Sequence, residues 1–257
     1  MDCLEGMKYI PDGSIDAIIC DLPYGTTACS WDIIIPFEPL WEQYNRILKN
    51  NGVVVLFATE PFTSQLISSN FKCFKEKLTW VKHKPSNIGN AKIRHLKYSE
   101  DICVFSRVGK YTFNPQYTER TSDRIRQAQR GNSKQWRTNR KETQEVSFAT
   151  QYAPRDWSTF DADKKLQGNV ITMPCVVSNS REKCNHPTQK PVSLLSYLIK
   201  VYTNEGDTVL DNCMGSGTTA VACIKEKRHF IGFELNKEYY EKACQRIDAV
   251  KRQLTLF

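Results

Sequence analysis

No two of the ten cysteines are spaced as Cys-x-x-Cys, and the four histidines (His83, His95, His186, His229) keep no metal-ligand spacing with one another or with a cysteine. A zinc knuckle or a disulfide framework needs such clustering, so neither is expected, and no metal site is assigned. The cysteines instead fall singly (Cys3, Cys20, Cys29, Cys73, Cys103, Cys175, Cys184, Cys213, Cys223, Cys244), several inside stretches that read as strands or helices. There a thiol behaves as a small buried hydrophobe, which suits a reduced compartment. No apolar run approaches the length of a membrane span. The acidic start, Met1-Asp2-Cys3-Leu4-Glu5, lacks the core of a signal peptide, so the expectation is a soluble cytoplasmic protein. What remains is an ordinary globular composition, 40% hydrophobic and 11% aromatic, over 257 residues. That length buries one substantial core and leaves room for an inserted module.

Net positive charge is also missing from most of the chain. The formal net charge is +8, but Arg107 to Lys141 alone carries ten basic residues (Arg107, Lys110, Arg120, Arg124, Arg126, Arg130, Lys134, Arg137, Arg140, Lys141) against Glu119 and Asp123. Elsewhere 26 basic residues meet 26 acidic ones. From Arg107 to about Asn185 hydrophobic periodicity is missing, while Tyr111, Phe113, Tyr117, Trp136, Phe148, Tyr152, Trp157 and Phe160 are interleaved with the basic residues. Cations that meet phosphates and rings that stack on bases predict a polyanionic partner, nucleic acid. The alternative for this stretch is a solubilising, disordered insertion, against which its aromatic content argues.

On either side the periodicity is that of an α/β protein. Apolar runs at Ile15 to Cys20, Val53 to Ala58, Lys77 to His83 and Tyr98 to Ser106 read as strands, with helices over Phe37 to Lys49 and Pro61 to Ser69. Asn50-Asn51-Gly52 reads as the close of the first of these helices. After the insertion come a helix from Pro191 to about Tyr202, a strand at Thr208 to Leu210, a helix from Thr219 to Lys227, a strand at His229 to Phe233 and a last helix from Asn236 to Arg252. Alternation of this kind predicts a Rossmann-like, mostly parallel twisted sheet with helices on both faces.

The first strand stops at Asp21, and Leu22-Pro23-Tyr24-Gly25 follows. Strand ends are where open α/β sheets keep their ligands. Pro23 fixes its own φ and restricts Leu22, so the Leu22 carbonyl and the Tyr24 ring are held beside the carboxylate. Two acceptors next to an aromatic face suit a planar ring that bears an amine. Taken alone, the stretch also fits an Asp that caps a turn, with Tyr24 on the surface.

A second site lies about 190 residues on. A short strand ends at Asp211, then Gly215-Ser216-Gly217-Thr218-Thr219 opens a helix, and the next strand ends at Glu234, about twenty residues past the glycines. Close backbone approach at the glycines and an acid for two ribose hydroxyls predict an adenosine-type cofactor. The turn lacks the third glycine that a pyrophosphate requires, and Asp211 would repel one. A carboxylate there favours a cationic sulfonium, S-adenosylmethionine, over a nicotinamide dinucleotide.

Asp-Leu-Pro-Tyr, a basic insertion, Thr-Gln-Lys-Pro and Asp-x-x-x-Gly-Ser-Gly-Thr-Thr, in that order, resemble the beta-group amino DNA methyltransferases, which act on adenine N6 or cytosine N4. The resemblance spans nearly the whole chain outside the insertion and implies a permuted motif order, catalytic residues first. It implies that Asp21, Leu22, Pro23 and Tyr24 form the catalytic motif. Asp211, Cys213, Gly215, Ser216, Gly217, Thr218 and Glu234 would contact the cofactor, as would Thr188 and Lys190 near its carboxylate and Asp2 near its adenine. The ten basic residues would meet double-stranded DNA within a target recognition region. The departures are Leu22, where the family has its first Pro, and Cys213, where it has a Phe beside the cofactor. The expected organisation is a catalytic half (1–106), an inserted recognition region (107–185) and a cofactor half (186–257), as monomer or homodimer. The reaction expected is methyl transfer to a flipped base, adenine in preference to cytosine. RNA or a protein side chain is the alternative substrate, and a DNA-binding protein without catalysis is the alternative of another class.

Overall fold

The computed structural model describes residues 1–26, 32–120, 122, 163–180, 182–184 and 188–254. Two compact units are separable, Met1–Asn114 with Asn169–Phe257, and Pro115–Gly168. Residues 107–114 and 169–180, read from sequence as part of the insertion, thus belong to the larger unit. The smaller unit contributes one described pairing, β5 (Tyr117–Glu119) antiparallel to β6 (Lys164–Leu166).

The larger unit is built on a seven-stranded sheet. Its strands in chain order are β1 (Ile15–Cys20), β2 (Leu48–Ala58), β3 (Phe74–Val81), β4 (Ser99–Phe105), β7 (Val170–Thr172), β8 (Thr208–Asp211) and β9 (His229–Gly232). Across the sheet they run β7, β3, β4, β2, β1, β8, β9. β4 alone is antiparallel to its neighbours; the pairs β1 with β2, β1 with β8, β8 with β9 and β3 with β7 are parallel. Strands buried on both faces read as continuous apolar runs, and Ala17 to Cys20 and Val53 to Ala58 are fully covered.

Side-chain alternation divides the core into two layers. Ile18, Cys20, Val54 and Leu56 pack against α1 (Cys3–Met7), α2 (Phe37–Ile47) and α3 (Phe62–Ser69). Ala17, Ile19, Val53, Val55 and Phe57 pack against α4 (Val192–Tyr202) and α5 (Thr218–Lys225). α6 (Lys237–Leu254) closes the chain. Burying the large side chains of α4, such as Leu194, Leu198 and Tyr202, contributes about 1.5–3 kcal/mol each.

Two local expectations fail. Asn50-Asn51-Gly52 does not close α2, because β2 begins at Leu48 directly after the helix. The pairing jumps from Ile15 with Leu48 to Ala17 with Val53, so the polar residues sit in an irregularity of the strand. Gly52 is required there by close approach, since a Cβ would lie 2.5 Å from Leu48 and 3.0 Å from the Asp16 carbonyl. The second miss is β7, a three-residue strand in a region without periodicity, which extends the sheet through Ile171.

Candidate active site

Parallel pairing of β1 with β8, Ala17 opposite Val209 and Ile18 opposite Leu210, brings Asp21 and Asp211 to neighbouring strand tips on one edge of the sheet. Both line a single cavity of about 1360 Å³, together with Tyr24 and Gly215. That volume exceeds the usual range of pockets for one small ligand.

At the β1 tip the turn is held by a residue that the sequence reading did not single out, Asp32. The buried Asp32 carboxylate accepts from three backbone N–H groups, Tyr24 (2.7 Å) and Gly25 (2.9 Å) at Oδ1 and Thr26 (2.9 Å) at Oδ2. Asp21 itself is engaged at both oxygens. The Tyr24 hydroxyl donates to Oδ1 at 2.5 Å and the Lys190 ammonium to Oδ2 at 2.5 Å. Burial raises the Asp21 pKa, and the Lys190 charge opposes that rise. Burial alone would lower the Lys190 pKa, but Asp21 and Glu100 carry it above the ordinary lysine value. The Tyr24 ring packs on Phe62 at a centroid distance of 5.2 Å.

At the β8 tip Asp211 accepts from the Cys213 N–H at 3.1 Å. Burial pushes its carboxyl up to about 6, against the hydrogen bonds of Thr219 and of the Cys213 backbone. Glu234 is stitched into the same turn, accepting from the N–H groups of Gly215 (2.9 Å) and Asn236 (2.8 Å). Gly217 starts α5 in a left-handed conformation (φ 71°), and a Cβ there would stand 3.1 Å from the Cβ of Ala243. Its need for glycine therefore comes from the turn and from α6. Arg246 of α6 donates to the Ser216 carbonyl (3.0 Å) and the Thr218 hydroxyl (3.0 Å), a tether absent from the sequence reading.

Asp2, Cys213, Thr188, Ser216 and Thr218 also line the cavity. Asp2 is in addition the cap of α1, accepting from the N–H groups of Leu4 and Glu5. Lys190, expected near a cofactor carboxylate, lines the cavity too and bonds Asp21 through its ammonium. The basic stretch is only partly described. Arg107 is occupied structurally, its guanidinium bonding the carbonyls of Asn45, Leu48 and Lys49 at the end of α2. Lys110 is exposed, and Arg120 bonds the Lys164 carbonyl within the smaller unit. Arg124, Arg126, Arg130, Lys134, Arg137, Arg140 and Lys141 lie outside the described residues. Cations that the sequence reading did not assign, Lys84, Arg94 and Lys97 of the β3–β4 loop, line the cavity. Among the described residues no group of three or more His, Cys, Asp and Glu side chains could hold a metal, and no helix is long and apolar enough to cross a membrane.

A family model described as DNA methylase matches residues 15–245, which includes both strand tips. The chain belongs to the N6/N4 DNA methylase family. This DNA methylase is 29% identical over 264 residues to the type II methyltransferase M1.MboII of Moraxella bovis, covering 95% of this chain and 93% of that protein. It is 30% identical over 260 residues to the DNA adenine methyltransferase YhdJ of Escherichia coli K12, covering 96% and 81%. Among solved structures, the complex of M1.HpyAVI with SAM is similar at 25% identity and a TM-score of 0.60, covering 96% of each chain. The cytosine-N4-specific PvuII DNA methyltransferase shares the fold, with a TM-score of 0.63 at 15% identity.

Proposed function

We propose that the chain transfers a methyl group from S-adenosylmethionine to the exocyclic amine of a base flipped out of duplex DNA, adenine N6 in preference to cytosine N4. The observation that carries this reading is the meeting of Asp21 and Asp211 at adjacent strand tips within one cavity. The adenine preference follows the relative at 30% identity, named for adenine, whereas the cytosine enzyme is similar in fold alone.

The residues of the β8 turn fit the cofactor. Asp211 is a buried carboxylate without an ion pair of its own among the described contacts, and a sulfonium-bearing amino acid supplies the cation it lacks. Asp211, Gly215, Cys213 and Glu234 would hold the cofactor, with Asp2 toward its adenine and Thr188 at the rim. Bound there, S-adenosylmethionine supplies an electrophilic methyl group on a positively charged sulfur.

Asp21 and the Leu22 carbonyl act on the other partner. An exocyclic amine shares its lone pair with the ring and is a poor nucleophile; two hydrogen bonds to these acceptors localise the pair on nitrogen and aim it. On accepting the methyl group the amine nitrogen would become cationic and carry a surplus proton. Asp21 then takes the surplus proton. Extruding the base costs roughly a few kcal/mol, offset by contacts with Tyr24 and the cavity wall. Lys84 and Arg94 at the cavity would meet flanking phosphates, beside Lys97, whose ammonium donates to the Thr59 hydroxyl and the Glu60 carbonyl.

Sequencing of modified bases in DNA from cells expressing the protein tests the reading. N6-methyladenine within a fixed sequence context is expected. N4-methylcytosine would overturn the base preference, and unmodified DNA, with methyl transfer to RNA or protein, would overturn the substrate.

A further inference from the structure

The wall of the cavity beside Asp21 carries charges that methyl transfer as described does not use. Lys82, next after β3, places its ammonium 2.8 Å from Glu100 Oε1 on β4, and only 4% of the Lys82 side chain is exposed. Lys190 Nζ lies 2.5 Å from Asp21 Oδ2 and 3.3 Å from Glu100 Oε2. The order along the wall is therefore cation, anion, cation, anion, two of each. Glu100 Oε2 is buried and makes no aligned hydrogen bond, but it already forms an ion pair with the Lys190 ammonium at 3.3 Å, so Lys190 bridges the two carboxylates and lies closer to Asp21. Native structures rarely leave such an acceptor without a hydrogen bond, and a small reorientation of the neighbouring ammonium would supply one.

The state of Asp21 supplies the other half of the argument. Each of its oxygens already accepts one donor, from Tyr24 and from Lys190, so an incoming amine competes with the ammonium for the carboxylate. A buried ammonium cannot be displaced into an apolar wall without a new partner. We propose that Lys190 is a positioning residue with two seats, Asp21 Oδ2 while the pocket is empty and Glu100 Oε2 once an amine occupies Asp21, with Lys82 keeping Glu100 in place. The proposal rests on the reading of Asp21 as the amine acceptor. The ammonium lies over the faces of Phe57 and Tyr24, whose ring centroids are 5.1 Å and 5.9 Å from Nζ, which favours a cation between the two carboxylates. In the first seat Lys190 keeps Asp21 ionised against burial and against the neighbouring Glu100; Cys20 and Asp211, from β1 and β8, and the Tyr24 hydroxyl are the other titratable groups around it. In the second seat it satisfies Glu100 and leaves Asp21 to the substrate.

Carboxyl carbon resonances of aspartate-labelled, full-length protein without ligands, assigned with Asp21→Asn, report the first seat directly. Lys190→Met is expected to raise the Asp21 midpoint by about one pH unit or more, Lys190→Arg to restore it, and Glu100→Gln to lower it. The second seat is read from tritiated methyl transfer to unmethylated bacterial genomic DNA, with calorimetric binding of S-adenosylmethionine as the control for folding. Glu100→Gln is expected to slow transfer at saturating DNA about tenfold, because the ammonium then stays on Asp21. The double variant Glu100→Gln with Lys190→Met is expected to be no slower than Lys190→Met alone, since without the lysine its second seat is idle. An Asp21 midpoint unmoved by Lys190→Met, or losses that add independently in the double variant, would overturn the proposal. Failure of the wild type to methylate any DNA would overturn the substrate reading instead, and the titration would still judge the Lys190–Asp21 pair.

Discussion

Asp21 and Asp211 occupy equivalent positions, each at the carboxyl end of a parallel strand, each followed by a glycine-containing turn that a charged residue from outside the turn ties down. At the first tip an anion, Asp32, gathers three N–H groups; at the second a cation, Arg246, gathers a carbonyl and a hydroxyl. Their electrostatic surroundings differ. Asp21 is paired with Lys190 and the Tyr24 hydroxyl, whereas the partners of Asp211 are the Cys213 N–H and Thr219. One tip already contains its own cation, and the other has none among its described partners. The division of labour proposed for the pocket follows from that difference, and it can be broken from either side.

The largest effect is expected from Asp21→Ala, which removes the acceptor and the proton sink together. Methyl transfer should fall by roughly a thousandfold or more, while calorimetric binding of S-adenosylmethionine stays nearly unchanged. Comparable loss of cofactor binding would show that the two tips do not have separate tasks.

Asp211→Asn should do the reverse, and it also carries a pH signature. The folded carboxyl titrates at about 6 rather than at its ordinary 3.8, so the native state holds its proton longer than the unfolded chain. Stability from this group is therefore present below about pH 4 and is lost as the pH rises to about 6. The gap corresponds to roughly 3 kcal/mol. In the absence of ligand Asp211→Asn should stabilise the protein at pH 7 by about 1–3 kcal/mol in denaturant unfolding and flatten its pH dependence above pH 4. The same change should weaken S-adenosylmethionine binding about tenfold to a hundredfold, the value of a charge-assisted contact. A gain in stability with no loss of cofactor affinity would remove Asp211 from the cofactor site.

How much of this was legible depends on distance along the chain. The strands, the strand-end acids and the glycine turn are local patterns, and hydrophobic runs broken by Asp, Pro and Gly reveal them directly. Contacts that span the fold left no comparable mark. Lys190 belongs to a Thr-Gln-Lys-Pro stretch that pointed to the cofactor, yet its ammonium sits on a carboxylate 169 residues earlier. Glu100 and Lys82 meet because β3 and β4 pair antiparallel, with Trp80 opposite Glu100; an acid and a lysine at strand ends were visible, but the register that joins them was not. Asn50-Asn51-Gly52 misled for a related reason. Their turn chemistry is real, but tertiary pairing of Leu48 with Ile15 starts the strand before them.

A smaller effect is expected from Asp32→Ala. Three backbone N–H groups would lose their acceptor, at a cost of about 1–3 kcal/mol in thermal or denaturant unfolding. Because these groups belong to the turn that aims Asp21 and Leu22, methyl transfer at saturating cofactor should fall about tenfold, with cofactor affinity retained.

Arg246→Met completes the comparison at the other turn, where the smallest effect is expected. The guanidinium holds Ser216 and Thr218 from outside the cavity, and Gly217 already fixes the start of α5 against Ala243 without it. Loosening one charge-assisted tether while the packing persists should weaken S-adenosylmethionine binding only about threefold to tenfold. Methyl transfer at saturating cofactor should not change, because Asp21 and its turn hang from Asp32 and not from α6. If Arg246→Met instead slows transfer as Asp32→Ala does, with cofactor saturating, the two turns behave as one mechanical unit and the separation of tasks between the strand tips fails.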